Sequence, residues 1–228
     1  RLVSRLDPAA ALASVAMRLR PDRSAFLFAT LFALLVVVVT DEAAAESLAP
    51  TQVDVQLDGE TYVVRARAQL AAEPRVAWEA LTDYEHLGEF VPGVRRSLVL
   101  WRSGDELTVE QVGVFSVFFF DLPVRVRLAV QHTPYSSIVA RLAPGSVMGG
   151  EPTLRSFTGH YGLVPIRLLQ RTGVRVDYDA KFELVEPLPT LTGRLFGVEA
   201  LRRTMAAQFE AMVREIERRQ AAHGVHEE

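Results

Sequence analysis

From Val94 to Leu184 apolar and polar residues alternate with a period of two, run after run. This limits the segment to antiparallel strands with one buried and one wet face. Leu98 and Leu100 alternate with Val99 and Trp101, Ser103-Gly104-Asp105 turns the chain, and Leu107 and Val109 resume the pattern. Val124, Val126, Leu128 and Val130 oppose Arg125, Arg127 and Gln131. After Thr133-Pro134 come Ile138, Ala140 and Leu142, then a Gly/Pro-rich loop from Pro144 to Pro152. Phe157, Gly159, Tyr161 and Leu163 share the next face. In the last run Val174, Val176, Tyr178, Ala180, Phe182 and Leu184 oppose Arg175, Asp177, Asp179, Lys181 and Glu183. Turns at this spacing predict about six strands.

A hairpin and two helices precede this segment. Val53, Val55 and Leu57 alternate up to Asp58-Gly59, the dipeptide that favours a tight hairpin turn. Tyr62, Val64, Ala66, Ala68 and Leu70 continue, with Arg65, Arg67 and Gln69 on the other face. Pro74 then sits where a first helical turn tolerates it, and Val76, Ala77, Ala80 and Leu81 fall at helical spacing. Asp83 suits the cap of a second short helix, Tyr84 to Phe90, which Pro92 and Gly93 terminate. Beyond Pro187 and Pro189, the residues Leu201, Met205, Phe209, Met212 and Ile216 step by 4, 4, 3 and 4. This apolar stripe predicts one helix of roughly 25 residues, followed by a polar, frayed tail from Ala221 to Glu228. The expected fold class is α+β, a curved antiparallel sheet wrapped around a long C-terminal helix, with two short helices after the first hairpin. One cylinder does not fill a twisted sheet, so a cleft is expected between them.

The first 45 residues carry a different signal. Arg18, Arg20 and Arg23 precede an apolar run, Ala25 to Val39, and the small residues Ala43-Ala44-Ala45 follow Asp41 and Glu42. A basic segment, a short greasy core and a small-residue exit describe a secretory signal peptide. Ser24 to Thr40 is also long enough to span a thinned bilayer, so a retained anchor is the alternative. Met17 directly precedes the basic residues, and residues 1–16 are expected to be an over-extended reading frame. The expected organisation is a signal or anchor within 1–45, a linker over 46–52, a domain over 53–220 and a tail over 221–228. The expected location is the periplasm, or the inner membrane facing it.

Composition excludes several functions. Without residues 1–45, Lys plus Arg falls from 25 to 20 and Asp plus Glu from 28 to 24, a net charge of about −4. That balance argues against nucleic acid, whose phosphates need a basic face. No cysteine is present, so there is no disulfide framework, thiolate nucleophile or Cys-based metal site.

The stretch Ala72-Glu73-Pro74-Arg75-Val76-Ala77-Trp78-Glu79-Ala80-Leu81-Thr82-Asp83-Tyr84-Glu85-His86-Leu87, with Phe90-Val91-Pro92-Gly93-Val94, resembles the opening of START-like (SRPBCC) domains. The resemblance is to the polyketide cyclase/dehydrase and coenzyme-Q-binding group. Asp177-Tyr178 is a weaker match, and the resemblance covers roughly Val53 to Arg219. It implies a helix-grip fold. Members bind lipids, quinones or polyketides, and some cyclise polyketides, so the implied partner is a hydrophobic small molecule or lipid with no metal and no cofactor. Fold alone does not fix the activity.

Candidate chemistry is sparse. His86, His132, His160, His223 and His226 form no H-x-x-x-H or H-E-x-x-H pair, which leaves no metal site. Asp83, Glu85 and His86 read as a helix cap with solvated neighbours, and Tyr84 and Trp78 as packing residues. Gly145, Gly149 and Gly150 lie between strands and not before a helix, so they make no phosphate cradle, and no G-x-S-x-G occurs. The expected cavity wall comprises Tyr62, Val126, Leu128, Val176, Tyr178 and Phe182 from the sheet, and Leu201, Met205, Phe209 and Met212 from the helix. The run Val114 to Phe120 breaks the alternation, and Phe118, Phe119 and Phe120 are read as a greasy rim able to touch a membrane surface. Tyr62, Gln111 and Tyr178 are the polar residues on inward faces, with no carboxylate or imidazole. That favours a binding module over the alternative, an enzyme of the cyclase/dehydrase type, which needs a general base in reach of its substrate. A protein-interaction adaptor with a filled core is the third possibility.

Overall fold

The computed structural model describes residues 50–117, 120–146, 154–168, 171–186 and 194–224. The segment Arg18–Ala45, and with it the reading of export, lies outside them. Alternation places eight strands in these residues: β1 Gln52–Asp58, β2 Thr61–Leu70, β3 Val94–Ser103, β4 Glu106–Val117, β5 Phe120–Thr133, β6 Ser137–Leu142, β7 Leu154–Leu168 and β8 Arg171–Leu184. Helix α1 is Pro74–Leu81, a 3-10 turn covers Tyr84–His86, α2 is Leu87–Phe90 and α3 is Arg194–Gly224. Among the described residues no helix is long and apolar enough to cross a membrane.

The strands form one antiparallel sheet in the order β1-β2-β8-β7-β6-β5-β4-β3. The fold is α+β, a curved open sheet with a long C-terminal helix and short helices after the first hairpin. The period-two pattern sets the register. Ala66 lies opposite Tyr178 and Ala68 opposite Val176 on the inner face, while Arg65 faces Asp179 and Arg67 faces Asp177 on the outer one. Asp177 accepts from Arg67 at 2.5 Å and from Arg175 at 2.9 Å, so opposite charges pair on the wet side where each adds little.

Helix α3 packs on the inner face, touching β1 and β2 at one side of the sheet and β4 at the other. Leu201, Phe209, Met212 and Ile216 are buried on it as their spacing requires. The helix runs 31 residues, to Gly224, so its end is ordered past Ala221, where fraying was expected. His223 Nδ1 lies 2.8 Å from the Arg219 carbonyl. The last turns are also clasped to α1: Arg219 donates to Asp83 at 2.6 Å and to the Glu79 carbonyl at 3.3 Å, and the Glu73 N–H donates to Gln220 at 2.8 Å.

Two local expectations are corrected. Asp83 makes no side-chain cap. Its carboxylate instead takes Arg219 and lies 2.6 Å from His86 Nδ1. Burial would raise its pKa, but hydrogen bonds from His86 and Arg219 outweigh that and hold it below its usual value. On β3 the register jumps between Val99 and Trp101, and this irregularity turns both Leu100 and Trp101 to solvent.

Candidate functional site

A cavity lies between the sheet and α3, in two adjoining lobes of about 190 and 210 Å³. Six residues line both lobes: Gln111 of β4, Leu128 of β5, Phe157 of β7, Tyr178 of β8, and Met205 and Gln208 of α3. The first lobe runs under the helical pair, where Leu81, Tyr84, Leu87 and Val91 close it. The second runs toward Phe115, Val126, Leu154 and Phe182. A shallower pocket of about 140 Å³ along Gly93 and Gly113 shares Gln111 and Gln208 with them. Gly159 and Ala140, with little or no side chain, line the first lobe opposite Phe209 and Met212.

Of the residues expected on the wall, Val126, Leu128, Tyr178, Phe182, Met205, Phe209 and Met212 line a lobe. Tyr62, Val176 and Leu201 do not. Val176 is fully buried in the main core. Tyr62 stacks on Phe182 with ring centroids 5.3 Å apart, in a smaller core with Leu201 near β1. All three are buried as their alternation demands, Tyr62 and Leu201 at the side where α3 meets β1 and β2, and Val176 within the main core. Phe118 and Phe119, expected on the rim, lie outside the described residues, as does the side chain of Phe120. The backbone of β4 and β5 stays paired as far as Val117 and Phe120.

The wall also holds residues that sequence reasoning passed over. Tyr84, read as a packing residue, lines the first lobe, and its hydroxyl lies 2.7 Å from His132 Nε2. The two rings stack at 5.8 Å, and Trp78 meets His132 edge-on at 5.1 Å. An inward imidazole is therefore present, contrary to expectation. Period two signals it: His132 follows Val126, Leu128 and Val130 on the same face of β5. Burial, reinforced by Arg102, lowers the pKa of His132 although Asp105 opposes it, and burial raises that of Tyr84. Both are neutral near pH 7.

Tyr161 of β7 lies directly opposite Tyr178 of β8, with ring centroids 4.4 Å apart, and Tyr178 stacks on Phe209 at 6.5 Å. Both tyrosines are enclosed by protein, yet each keeps some free surface because the lobe lies against it. Burial pushes Tyr178 up to about 12 and Tyr161 higher still, the latter helped by its neighbours Tyr178 and Tyr84. Gln208 is committed to the backbone, donating to the Pro92 carbonyl at 3.0 Å. Among the described residues no group of His, Asp and Glu is placed to hold a metal ion.

The family profile for polyketide cyclase / dehydrase and lipid transport proteins matches residues 70–210. The chain belongs to this family. Several solved structures share the fold. A protein from Thermus thermophilus is 20% identical over 71% of this chain and 98% of its own, with a TM-score of 0.53. The Zhui aromatase/cyclase from a Streptomyces species is 16% identical over 70% of this chain and 95% of its own, at 0.53. A STAR-related lipid transfer protein from Xanthomonas axonopodis is 15% identical over 72% and 98%, at 0.50. Identities this low speak for the fold alone. No curated protein matches the sequence. The family's fold supports either of two roles, ligand binding or cyclisation, and suits hydrophobic small molecules or lipids.

Proposed function

We propose that this member of the polyketide cyclase / dehydrase and lipid transport family is a binding protein that encloses a hydrophobic molecule between its sheet and α3. One observation carries the reading: the two lobes adjoin at Met205, Tyr178 and Phe157, which line both, and are walled mostly by apolar side chains. Small-molecule sites span roughly 300–1,000 Å³, so a ligand of ordinary size needs both lobes. Apolar surface buried there contributes about 25 cal/mol per Å², less the cost of association.

Met205 is the residue to test, because it lines both lobes and sits only partly buried on α3. Met205→Trp is expected to fill the junction and abolish the fluorescence gain of N-phenyl-1-naphthylamine, with the far-UV circular dichroism of the folded domain retained. A folded variant that binds the dye like wild type would remove the cavity from consideration.

The Tyr84–His132 pair supports a second reading, a cyclase/dehydrase-type enzyme. The Tyr84 hydroxyl lines the first lobe and His132 stands directly behind it, a proton donor backed by an acceptor of the kind that acid–base steering of an aldol closure requires. In that case His132→Phe abolishes turnover of a polyketide-like substrate while its affinity holds. We further propose that the protein works outside the cytoplasm. That rests on Arg18–Ala45 alone, and N-terminal sequencing of the native protein that begins at Glu46 would support it.

A further inference from the structure

The proposed binding role leaves the ligand's polar end open, and the chemistry of the wall constrains it. No Asp, Glu, Lys, Arg or His lines either lobe or the shallower pocket among the described residues. The polar side chains are five neutral ones: Gln111, Gln208, Tyr84, Tyr161 and Tyr178. A charged head group carried into this space would lose its water and meet no counter-charge, so its full desolvation penalty would stand against binding. Of the five, Gln208 gives one N–H to the Pro92 carbonyl and the Tyr84 hydroxyl is paired with His132. Tyr161 and Tyr178 are different. Their rings stand side by side on paired strands, both face the first lobe, and neither hydroxyl has a hydrogen-bond partner among the described residues. Two phenol hydroxyls that open on the lobe without protein partners are free to donate to a ligand oxygen. Their raised pKa values keep both protonated, and so able to donate, throughout the physiological range.

We propose that the cavity takes an uncharged, oxygen-bearing apolar molecule. Its carbonyl or hydroxyl oxygen accepts hydrogen bonds from Tyr161 and Tyr178, and carboxylates, phosphates and amines are rejected. The proposal rests on the binding role above and specifies the ligand class for the same cavity. The selection is of the kind in which buried polar groups discriminate by what is left unpaired.

The test displaces N-phenyl-1-naphthylamine from the full-length protein at pH 7.5 with four probes of equal chain length: 2-dodecanone, 1-dodecanol, dodecanoate and dodecylamine. The ketone and alcohol are expected to bind at least about a hundredfold more tightly than the two ions. Tyr161→Phe with Tyr178→Phe is expected to weaken the ketone about tenfold or more relative to the dye. Dodecanoate that competes as well as the ketone overturns the proposal, and that arm needs no variant to fold. A double variant that keeps full ketone affinity overturns it too. Failure of the dye itself to bind the wild type would instead refute the binding role on which the proposal stands.

Discussion

The Tyr84–His132 contact joins the cavity wall to the core behind it, and its energy can be worked from the geometry. The hydroxyl and Nε2 lie 2.7 Å apart, both residues are buried, and both are neutral near pH 7. Tyr84→Phe keeps the ring that stacks on His132 at 5.8 Å, so no cavity opens and the change is confined to the hydroxyl. It removes a bond with a net contribution of about 0.5–1.5 kcal/mol and strands a buried ring nitrogen, for a total loss of about 1–3 kcal/mol. His132→Leu removes the same bond and, in addition, the edge contact with Trp78 at 5.1 Å. The double variant leaves neither partner unpaired, and the coupling between the two changes should be about 1–2 kcal/mol. Urea unfolding at pH 7, followed by far-UV circular dichroism, measures all four corners of the cycle. Additive losses, with coupling below about 0.3 kcal/mol, would show that the hydrogen bond contributes nothing and that the pair is only stacked.

Three further outcomes are expected. Among the described residues the buried Ser97 hydroxyl has no partner, so Ser97→Ala should be neutral or stabilise by about 1 kcal/mol; a loss of that size in thermal unfolding would mean the hydroxyl is bonded. A Cβ on Gly113 would strike the Gly93 carbonyl, part of the backbone that bonds the Val114 N–H at 2.8 Å, so Gly113→Ala should cost about 1–3 kcal/mol, and an unchanged urea midpoint would refute the close approach. His132 has a folded pKa below its ordinary 6.5, so the unfolded chain binds more protons just below that value, and stability is lost as pH falls from 6.5 through the folded pKa. His86, raised by Asp83, acts with the opposite sign, adding stability below 6.5 that is lost as pH rises through its folded value. Comparing His132→Leu with wild type isolates the His132 part, and the variant should show the shallower acid loss below about pH 6.5.

Most of the architecture is written in local periods. The strands, the Asp58-Gly59 turn, the Pro74 start of α1 and the stripe Leu201 to Ile216 follow from the spacing of apolar residues, because each element must present one continuous face to the core. The same rule places Tyr178, Met205, Phe209 and Met212 inward, and they do meet across a void. It also places His132 and Tyr161 inward, so these two were legible, although the alternation alone does not mark Tyr161 as a wall residue or His132 as the partner of one.

What period cannot give is distance across the core. Tyr62 obeys the same alternation as Tyr178 and Leu201 the same stripe as Met205, yet both end in solid packing, where α3 contacts β1 and β2. Whether an inward residue faces a neighbour or empty space depends on sheet curvature and on where the helix crosses it, and both are set by contacts far apart in sequence. Asp83 shows the same limit at the surface. Its place before a helix suggests a cap, but the guanidinium of Arg219, 136 residues away, claims the carboxylate with two charge-assisted partners where a cap offers one backbone N–H. The sequence by itself determined the elements and their faces. The tertiary structure decided which of those faces enclose a cavity, because a void is a property of the gap between elements and of no single one.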